Sequence, residues 1–123
     1  SVIRKTKGKL PRLPFESLKN FILGEKYELS VVFTGSAESR RLNKAYRGKE
    51  KPANILSFPI SKNEGEIFIC LSEARRDAKK FGRTYEKFIP FLLIHGMLHL
   101  KGFEHGSRME EKEAGALKKF SLE

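Results

Sequence analysis

The chain has 123 residues, with 25 Lys and Arg residues against 15 Asp and Glu residues, and a formal net charge of +10. That length fits a single domain over residues 1–123. The single cysteine, Cys70, excludes an internal disulfide framework and a multi-cysteine metal site. The longest nearly continuous apolar run, Phe88–Ile94, is interrupted by Pro90, whereas a bilayer span needs about 20 residues.

The basic N-terminal segment has no apolar stretch of the kind found in a signal peptide, so we expect a cytoplasmic protein without membrane attachment. The positive charge indicates a polyanionic partner. Charge alone does not separate nucleic acid from an acidic membrane, but nucleic acid is the favoured partner of so basic a small domain.

Hydrophobic periodicity and turn residues predict an α+β fold with three or four strands and about five helices. In chain order these are a strand over Val2–Thr6, a helix over Pro14–Leu23, a strand over Glu28–Thr34, a helix over Ser36–Tyr46, strands over Asn54–Phe58 and Glu66–Cys70, and helices from Ser72 to Gly82, Thr84 to Lys101 and Ser107 onward. The polar segment Ser61–Gly65 separates the last two strands, which suits a hairpin.

Residues with capping side chains and glycines set the expected ends of these helices. Gly48, Gly82 and Gly102 are expected to end three helices, and Pro90 is expected to bend the longest one. The predicted N-caps are Ser36, Ser72, Thr84 and the capping box Ser107-x-x-Glu110.

All three histidines lie between positions 95 and 105. His95 and His99 are four residues apart on a predicted helix, so their side chains share one face with Cβ atoms ~5–6 Å apart. That separation allows two imidazoles to hold one metal ion at ~2.0–2.1 Å each. Gly102 can adopt a positive φ and turn the chain back, so that His105 approaches as a third ligand.

The spacing therefore predicts a three-histidine metal site with its fourth position left to water. Zn²⁺ is the default ion, and nickel, copper and iron are alternatives. The competing interpretation is that His95 and His99 are core histidines bonded to the backbone and that His105 is an ordinary surface residue.

The same spacing matches the metzincin protease pattern H-E-x-x-H-x-x-G-x-x-H, with Gly96 at the position of the catalytic glutamate. A peptidase needs that carboxylate as general base and as proton donor to the leaving amine. Three neutral ligands also leave the ion its full dipositive charge, which attracts a phosphodiester. The motif therefore favours a phosphodiester substrate over a peptide.

Three segments together resemble a known family: His95–His105, Tyr46-Arg47-Gly48-Lys49 and Asn54-Ile55-Leu56-Ser57-Phe58-Pro59. In order and spacing, over nearly the whole chain, they resemble the bacterial rRNA-maturation endoribonucleases called the YbeY family. The histidine motif of that family is H-G-x-L-H-L-x-G-x-D-H. This chain has Glu104 where the family usually has Asp, and Gly65-Glu66-Ile67 where it usually has Gly-Asp-Ile.

The resemblance implies a small mixed sheet with the metal helix packed against it. It also implies metal-dependent cleavage of single-stranded RNA in 16S rRNA 3′-end maturation and in ribosome quality control, with the small ribosomal subunit as a partner. Arg47 matches the functional arginine of the family, and its planar guanidinium suits bidentate contact with a phosphate.

Residues 40–51 hold six cations and one acid, and three of the cations line one face of the predicted helix. A solvated helix face is the ordinary interpretation of such a run. We expect its exposed cations to bind the RNA backbone. The predicted RNA-binding residues are Arg40, Lys44, Arg47, Lys49 and Lys51.

Glu104 is the acid adjacent to the histidines, and we expect it to orient an imidazole or to act as a base on water. The alternative is a solvated loop carboxylate. Ser57 is expected to be a structural hydroxyl and Cys70 a small buried residue. Asn54 either lines the cleft or makes a turn bond.

The leading hypothesis is a zinc-dependent endoribonuclease in which His95, His99 and His105 hold the ion and Arg47, His95, His99 and Glu104 are catalytic. The second hypothesis is a non-catalytic ribosome-assembly or RNA-binding factor with a structural metal. A protein side chain in the fourth coordination position would favour it. A metalloprotease is the least favoured function.

Overall fold

The structure, a computed structural model, describes residues 2–4 and 12–123. Within these residues the chain forms a four-stranded sheet, five α-helices and one short 3₁₀ helix, which confirms the predicted α+β class. In chain order the elements are β1 Val2–Arg4, α1 Phe15–Ile22, β2 Glu28–Thr34, α2 Ser36–Arg47, β3 Ile55–Ser61, β4 Glu64–Cys70, α3 Leu71–Ala78, the 3₁₀ helix Lys79–Phe81, α4 Tyr85–Lys101 and α5 Ser107–Lys119. Thr6, where the first predicted strand was expected to end, lies outside the described residues.

The sheet is mixed, with the strand order β1-β2-β4-β3. β1 and β4 run parallel to β2, and β3 runs antiparallel to β4 as the predicted hairpin. The hairpin strands extend into the polar segment that was expected to separate them, because Ser61 still pairs with Glu64. β4 therefore lies inside the sheet, and β3 follows it at the edge.

Helices cover both faces of the sheet. Because side chains alternate along a strand, Val31 and Ile67 face the main core, which also contains buried residues of α1, α3, α4 and α5. Val32 and Leu56 are buried outside that core, on the face where α2 packs against β4. α4 lies at the centre of the main core and is buried almost continuously from Phe88 to Leu98.

The two ends of α4 are those that the sequence predicts. The Thr84 side chain caps the N-terminus by accepting a hydrogen bond from the Lys87 backbone N–H at 3.3 Å. Gly102 ends the helix with φ +109°, a conformation that favours glycine, and its N–H donates to the His99 carbonyl at 3.0 Å. The helix continues through Pro90 to Lys101 without a break.

The other three predicted N-caps are wrong. Ser36 and Ser107 are the first residues of their helices, and Ser72 is the second residue of its helix. None of the three true N-caps makes a side-chain capping bond. An N-cap residue has a non-helical backbone, so its position depends on where the backbone becomes helical and not on which nearby side chain could cap. The N-caps are Gly35, Cys70 and Gly106.

Among the residues that the structure describes, no helix combines the length and the apolar character that crossing a bilayer requires.

Candidate metal centre

The three histidines converge at the C-terminal end of α4. His95 and His99 lie one turn apart on the helix, and the reversal at Gly102 returns His105 toward them. The ring centroids are 4.6 Å apart for His95 and His99, 4.8 Å for His99 and His105, and 5.0 Å for His95 and His105. One nitrogen of each ring lies within 4.8 Å of the others. The structure thus brings the three predicted ligands together.

Neighbouring acceptors indicate which ring nitrogens carry protons. His95 Nδ1 lies 2.7 Å from Glu113 Oε2, and His99 Nδ1 lies 3.1 Å from the Phe103 carbonyl oxygen. A carboxylate and a carbonyl can only accept, so both Nδ1–H groups donate and both Nε2 atoms carry lone pairs in the neutral rings.

These lone pairs make the cluster suitable for a cation. The two Nε2 atoms are 3.1 Å apart, a distance at which two lone pairs repel unless a positive charge lies between them. Two nitrogens bound to one tetrahedral ion at 2.0–2.1 Å are about 3.3 Å apart. The donor set therefore fits a divalent metal such as Zn²⁺. No fourth His, Cys, Asp or Glu belongs to this group within the described part of the chain.

Glu113, which was not predicted from the sequence, is the acid that contacts the cluster. It projects from α5, 18 residues after His95 in the chain, and is only 6% exposed. A carboxylate that holds the second N–H of a metal-ligating imidazole fixes the ring and raises its basicity. One feature of the sequence could have identified Glu113. It lies four residues after Met109, and so falls on the apolar, buried face of an amphipathic helix.

Glu104 has different surroundings. It is exposed and lines a separate shallow depression with Lys101, Phe103 and Arg108. Its catalytic role stays a prediction.

Burial favours the neutral form of His99. It lowers the pKa of this imidazole, and the neighbouring His95 and His105 rings lower it further. The hydrogen bond to the Phe103 carbonyl and the charge of Glu113 oppose that shift. The net lowered pKa keeps His99 in the deprotonated form that binds metals at neutral pH.

The cluster opens into a depression of about 650 Å³ that Arg47 also lines. Arg47 is the last residue of α2, which Gly48 ends with φ +69°. The remaining walls come from Tyr46, Gly96, Asn54 and the first four residues of β3, Ile55 to Phe58. The structure thus places the predicted arginine and the predicted metal ligands around one space.

Two buried polar residues of α2 place Arg47 beside β3. Ser39 Oγ donates to the Ala53 carbonyl at 2.8 Å and accepts from the Ala53 N–H at 2.9 Å. Asn43 Nδ2 donates to the Lys51 carbonyl at 2.8 Å. These bonds join α2 to the segment that leads into β3, so the end of α2 faces the cluster. Neither residue was predicted from the sequence to position the site.

The other predicted RNA-binding residues do not line this depression. All are exposed on α2 or on the segment after it, and Lys44 Nζ pairs with Glu50 Oε1 at 3.1 Å. They form a basic surface next to Arg47, and their contact with RNA stays a prediction. These residues are Arg40, Lys44, Lys49 and Lys51.

Close packing against β3 explains why a glycine, Gly96, occupies the position of the protease glutamate. A Cβ at this position would lie 2.8 Å from Ile55 Cδ1 and 2.9 Å from Ser57 Oγ. Ser57 Oγ donates to the Gly96 carbonyl at 3.3 Å, which is the structural role predicted for it. A glutamate would therefore force the Ile55 and Ser57 side chains of β3 to shift, and nothing at this position supports peptidase chemistry.

Two further residues singled out from the sequence are Cys70 and Asn54. Cys70 is buried, with 1% exposure, as expected. Asn54 lines the depression, and its Nδ2 donates to Asp77 Oδ2 at 3.1 Å, which joins the start of β3 to α3.

A sequence model of the family described as Endoribonuclease YbeY matches residues 8–123. The chain belongs to this family. The resemblance predicted from the sequence is confirmed, and the family is one of endoribonucleases, as expected.

Curated relatives that carry the name Endoribonuclease YbeY are similar over most of the chain. The relative from Acholeplasma laidlawii (strain PG-8A) is 39% identical over 93 residues, which cover 72% of this chain and 68% of the relative. The relative from Chelativorans sp. (strain BNC1) is 38% identical over 104 residues, or 77% of this chain and 64% of the relative. The relative from Staphylococcus carnosus (strain TM300) is 33% identical over 108 residues, or 78% and 71%. The chain thus spans about two thirds of the length of these YbeY proteins.

A solved structure supports the fold. The solution structure of TM1509 from Thermotoga maritima matches with a TM-score of 0.68 at 25% identity, covering 97% of this chain and 87% of that one. The arrangement of the mixed sheet and its helices is therefore shared with an experimentally determined structure.

Proposed function

We propose that this chain is a zinc-dependent endoribonuclease that cleaves single-stranded RNA in the cytoplasm. Its proposed process is 16S rRNA 3′-end maturation and ribosome quality control, with the small ribosomal subunit as partner. The observation that carries the proposal is the convergence of three imidazoles in the same depression as Arg47. The names of the curated relatives support RNA as the substrate, and the net charge of +10 supports attraction to a polyanion.

The proposed ligands are His95, His99 and His105. When bound, Zn²⁺ supplies Lewis acidity, which activates water and withdraws charge from a phosphodiester. Glu113 and the Phe103 carbonyl hold the Nδ1–H groups of two of these rings, so their Nε2 atoms are oriented before any substrate binds.

Arg47 is the proposed phosphate-binding residue. Its guanidinium presents parallel N–H donors that match two phosphate oxygens, and its fixed charge stabilises the additional negative charge that develops during cleavage. The exposed cations of the neighbouring basic surface contact the RNA backbone without regard to sequence. These are Arg40, Lys44, Lys49 and Lys51.

The first experiment measures metal content by mass spectrometry and cleavage of a labelled single-stranded RNA. We expect His99→Ala to lose both zinc and cleavage. Arg47→Ala should keep zinc and lose about 10²-fold in kcat, because one donor to the developing charge is gone. Arg41→Ala is the matched control, because Arg41 is an exposed arginine of α2 outside the depression. Cleavage that persists in His99→Ala would indicate a contaminating nuclease and overturn the proposal.

A second experiment addresses the RNA and the ribosome. RNA that spans the 3′ boundary of 16S rRNA should be cut in preference to a scrambled RNA of equal length, and the protein should sediment with small subunits. Zinc-loaded protein that binds small subunits but cuts neither RNA would support the assembly-factor hypothesis instead.

Glu104 is proposed as a catalytic residue on the sequence pattern alone. Glu104→Gln should lower kcat if its carboxylate acts on water or on a ligand. An unchanged kcat with unchanged zinc content would remove it from the mechanism.

A further inference from the structure

A second depression adjoins the histidine cluster on the side that Arg47 does not line. It has a volume of about 510 Å³, within the range of small-molecule sites. It shares Asn54, Ile55, His95 and His105 with the first depression, so the cluster lies on the boundary between the two. A nucleotide whose phosphate is held beside Arg47 therefore has a neighbouring space within reach.

Aromatic rings form one wall of this second depression. Phe81 is 57% exposed, although it is large and apolar. Its ring lies 5.2 Å from that of Phe88 at an interplanar angle of 28°, and Phe91 lies 6.0 Å from Phe88 at 18°. The His95 ring follows at 6.0 Å and 29° from Phe91. Phe81, Phe91 and His95 line the depression, with Phe81 tilted by 41° from Phe91 at 6.5 Å, and the fully buried Phe88 packs against both phenylalanines.

Arg83 extends this wall with a planar cation. Its Cζ lies 4.2 Å from the centroid of the Phe91 ring, so the guanidinium lies over the aromatic face. Aromatic rings and stacked guanidinium planes are the surfaces on which proteins hold unpaired bases, and the contact tolerates any base because each has a π-face.

Two carboxylates of this depression disfavour a phosphate. Glu110 and Glu113 both line this depression, and the Glu113 carboxylate is turned to His95. Their negative charges repel a phosphate, whereas a neutral base meets apolar side chains. The second depression is therefore lined by two carboxylates against the one guanidinium of Arg83, whereas Arg47 faces no carboxylate in the lining of the first. The depression with Arg47 suits a phosphate, and the one with Phe81 suits a base.

We propose that the second depression is a nucleobase subsite. It would hold one unpaired base of the RNA, adjacent to the scissile phosphate, stacked on Phe81 and Arg83. This inference rests on the proposed function, since it requires single-stranded RNA as the substrate. It assigns a class of ligand, an unpaired base of any identity.

The binding test uses metal-depleted protein, because we expect it to bind RNA without cutting it. Single-stranded RNAs carry the fluorescent base 2-aminopurine at successive positions. We expect stacking to quench the fluorescence at one position, and Phe81→Ala to abolish that quenching. Phe21→Ala is the matched control, because Phe21 is 53% exposed and lines neither depression. Quenching that is equal in wild type and Phe81→Ala would overturn the subsite.

The kinetic test uses zinc-loaded protein and RNAs with a single abasic position. Phe81→Ala should raise KM by about 5- to 10-fold and leave kcat nearly unchanged, because stacking holds the substrate and takes no part in the reaction. An abasic position in the subsite should raise the KM of wild type similarly and add little in Phe81→Ala.

The outcomes separate this inference from the proposed function. If His99→Ala is inactive but the abasic scan shows no position that depends on Phe81, the subsite is wrong and the nuclease proposal stands. If His99→Ala cleaves as well as wild type, the nuclease proposal itself fails. An unchanged KM in Phe81→Ala, with a protein partner bound at Phe81 instead, would also refute the subsite.

Discussion

Removal of the Glu113 carboxylate should weaken metal binding without removing a ligand. Its Oε2 accepts from His95 Nδ1 at 2.7 Å, with side-chain exposures of only 9% for the acid and 18% for the histidine. A short hydrogen bond to a charged, buried acceptor contributes about 1.5–3 kcal/mol. Loss of such a partner from a metal-ligating histidine typically weakens metal affinity 10- to 100-fold, which corresponds to about 1.4–2.7 kcal/mol.

The two substitutions Glu113→Gln and Glu113→Ala should differ in degree. Glutamine keeps an oxygen that can accept from His95 but removes the charge, so we expect a zinc affinity about 10-fold weaker than that of wild type. Alanine leaves the Nδ1–H without an acceptor in a largely buried position, so we expect a loss nearer to 100-fold. Zinc affinity is measured by competition with a chelator of known affinity at constant pH.

Glu110→Gln is the control for this prediction. Glu110 lies on the same helix and lines the same depression, but it is exposed. Its substitution changes the net charge as Glu113→Gln does and should leave zinc affinity nearly unchanged. Wild-type affinity in folded Glu113→Ala would refute the role that we assign to the carboxylate. An equal loss in the Glu110 variant would show that the effect is one of overall charge.

Two further predictions concern packing and protonation. Gly96→Ala should lower the free energy of unfolding by about 1–3 kcal/mol, because its Cβ meets Ile55 and Ser57 at under 3 Å. Gly115→Ala is the control, because a Cβ added there would meet no atom within 4 Å. It should raise the free energy of unfolding by up to about 1 kcal/mol. Both free energies are measured by urea denaturation, and equal changes in the two variants would contradict the effect assigned to packing at Gly96. Burial lowers the pKa of His99, so the unfolded chain binds a proton there at higher pH than the folded chain. The free energy of unfolding of the metal-free protein should therefore fall as the pH decreases below about 6.5. The fall should be less steep in His99→Asn, and an equal pH dependence of the two proteins would exclude His99 as its cause.

Features that depend on neighbouring residues were predictable from the sequence. β2 has the predicted bounds, and α4 begins after Thr84 and ends at Gly102 as expected. His95 and His99 are four residues apart, so any helix places them on one face. A positive φ at Gly102 is enough to turn the chain back and bring His105 toward them. These are local relations, so the candidate ligands could be recognised before any contact was known.

The N-caps show where local patterns reach their limit. Ser72 has the side chain of a cap, but β4 continues directly into α3, and Cys70 is both the last strand residue and the N-cap. Pairing of β4 with its neighbours extends the strand to that point, and a hydroxyl two residues later cannot change it.

From the sequence came the α+β class, the three candidate ligands and, through the family resemblance, Arg47. The tertiary structure decided what surrounds those three histidines. Glu113 reaches His95 because α5 folds back on α4, and Arg47 lines the same depression as the cluster because Ser39 and Asn43 bond to the segment before β3. Such contacts join residues that are distant in the chain, and their geometry results from packing of whole elements, which no local spacing encodes.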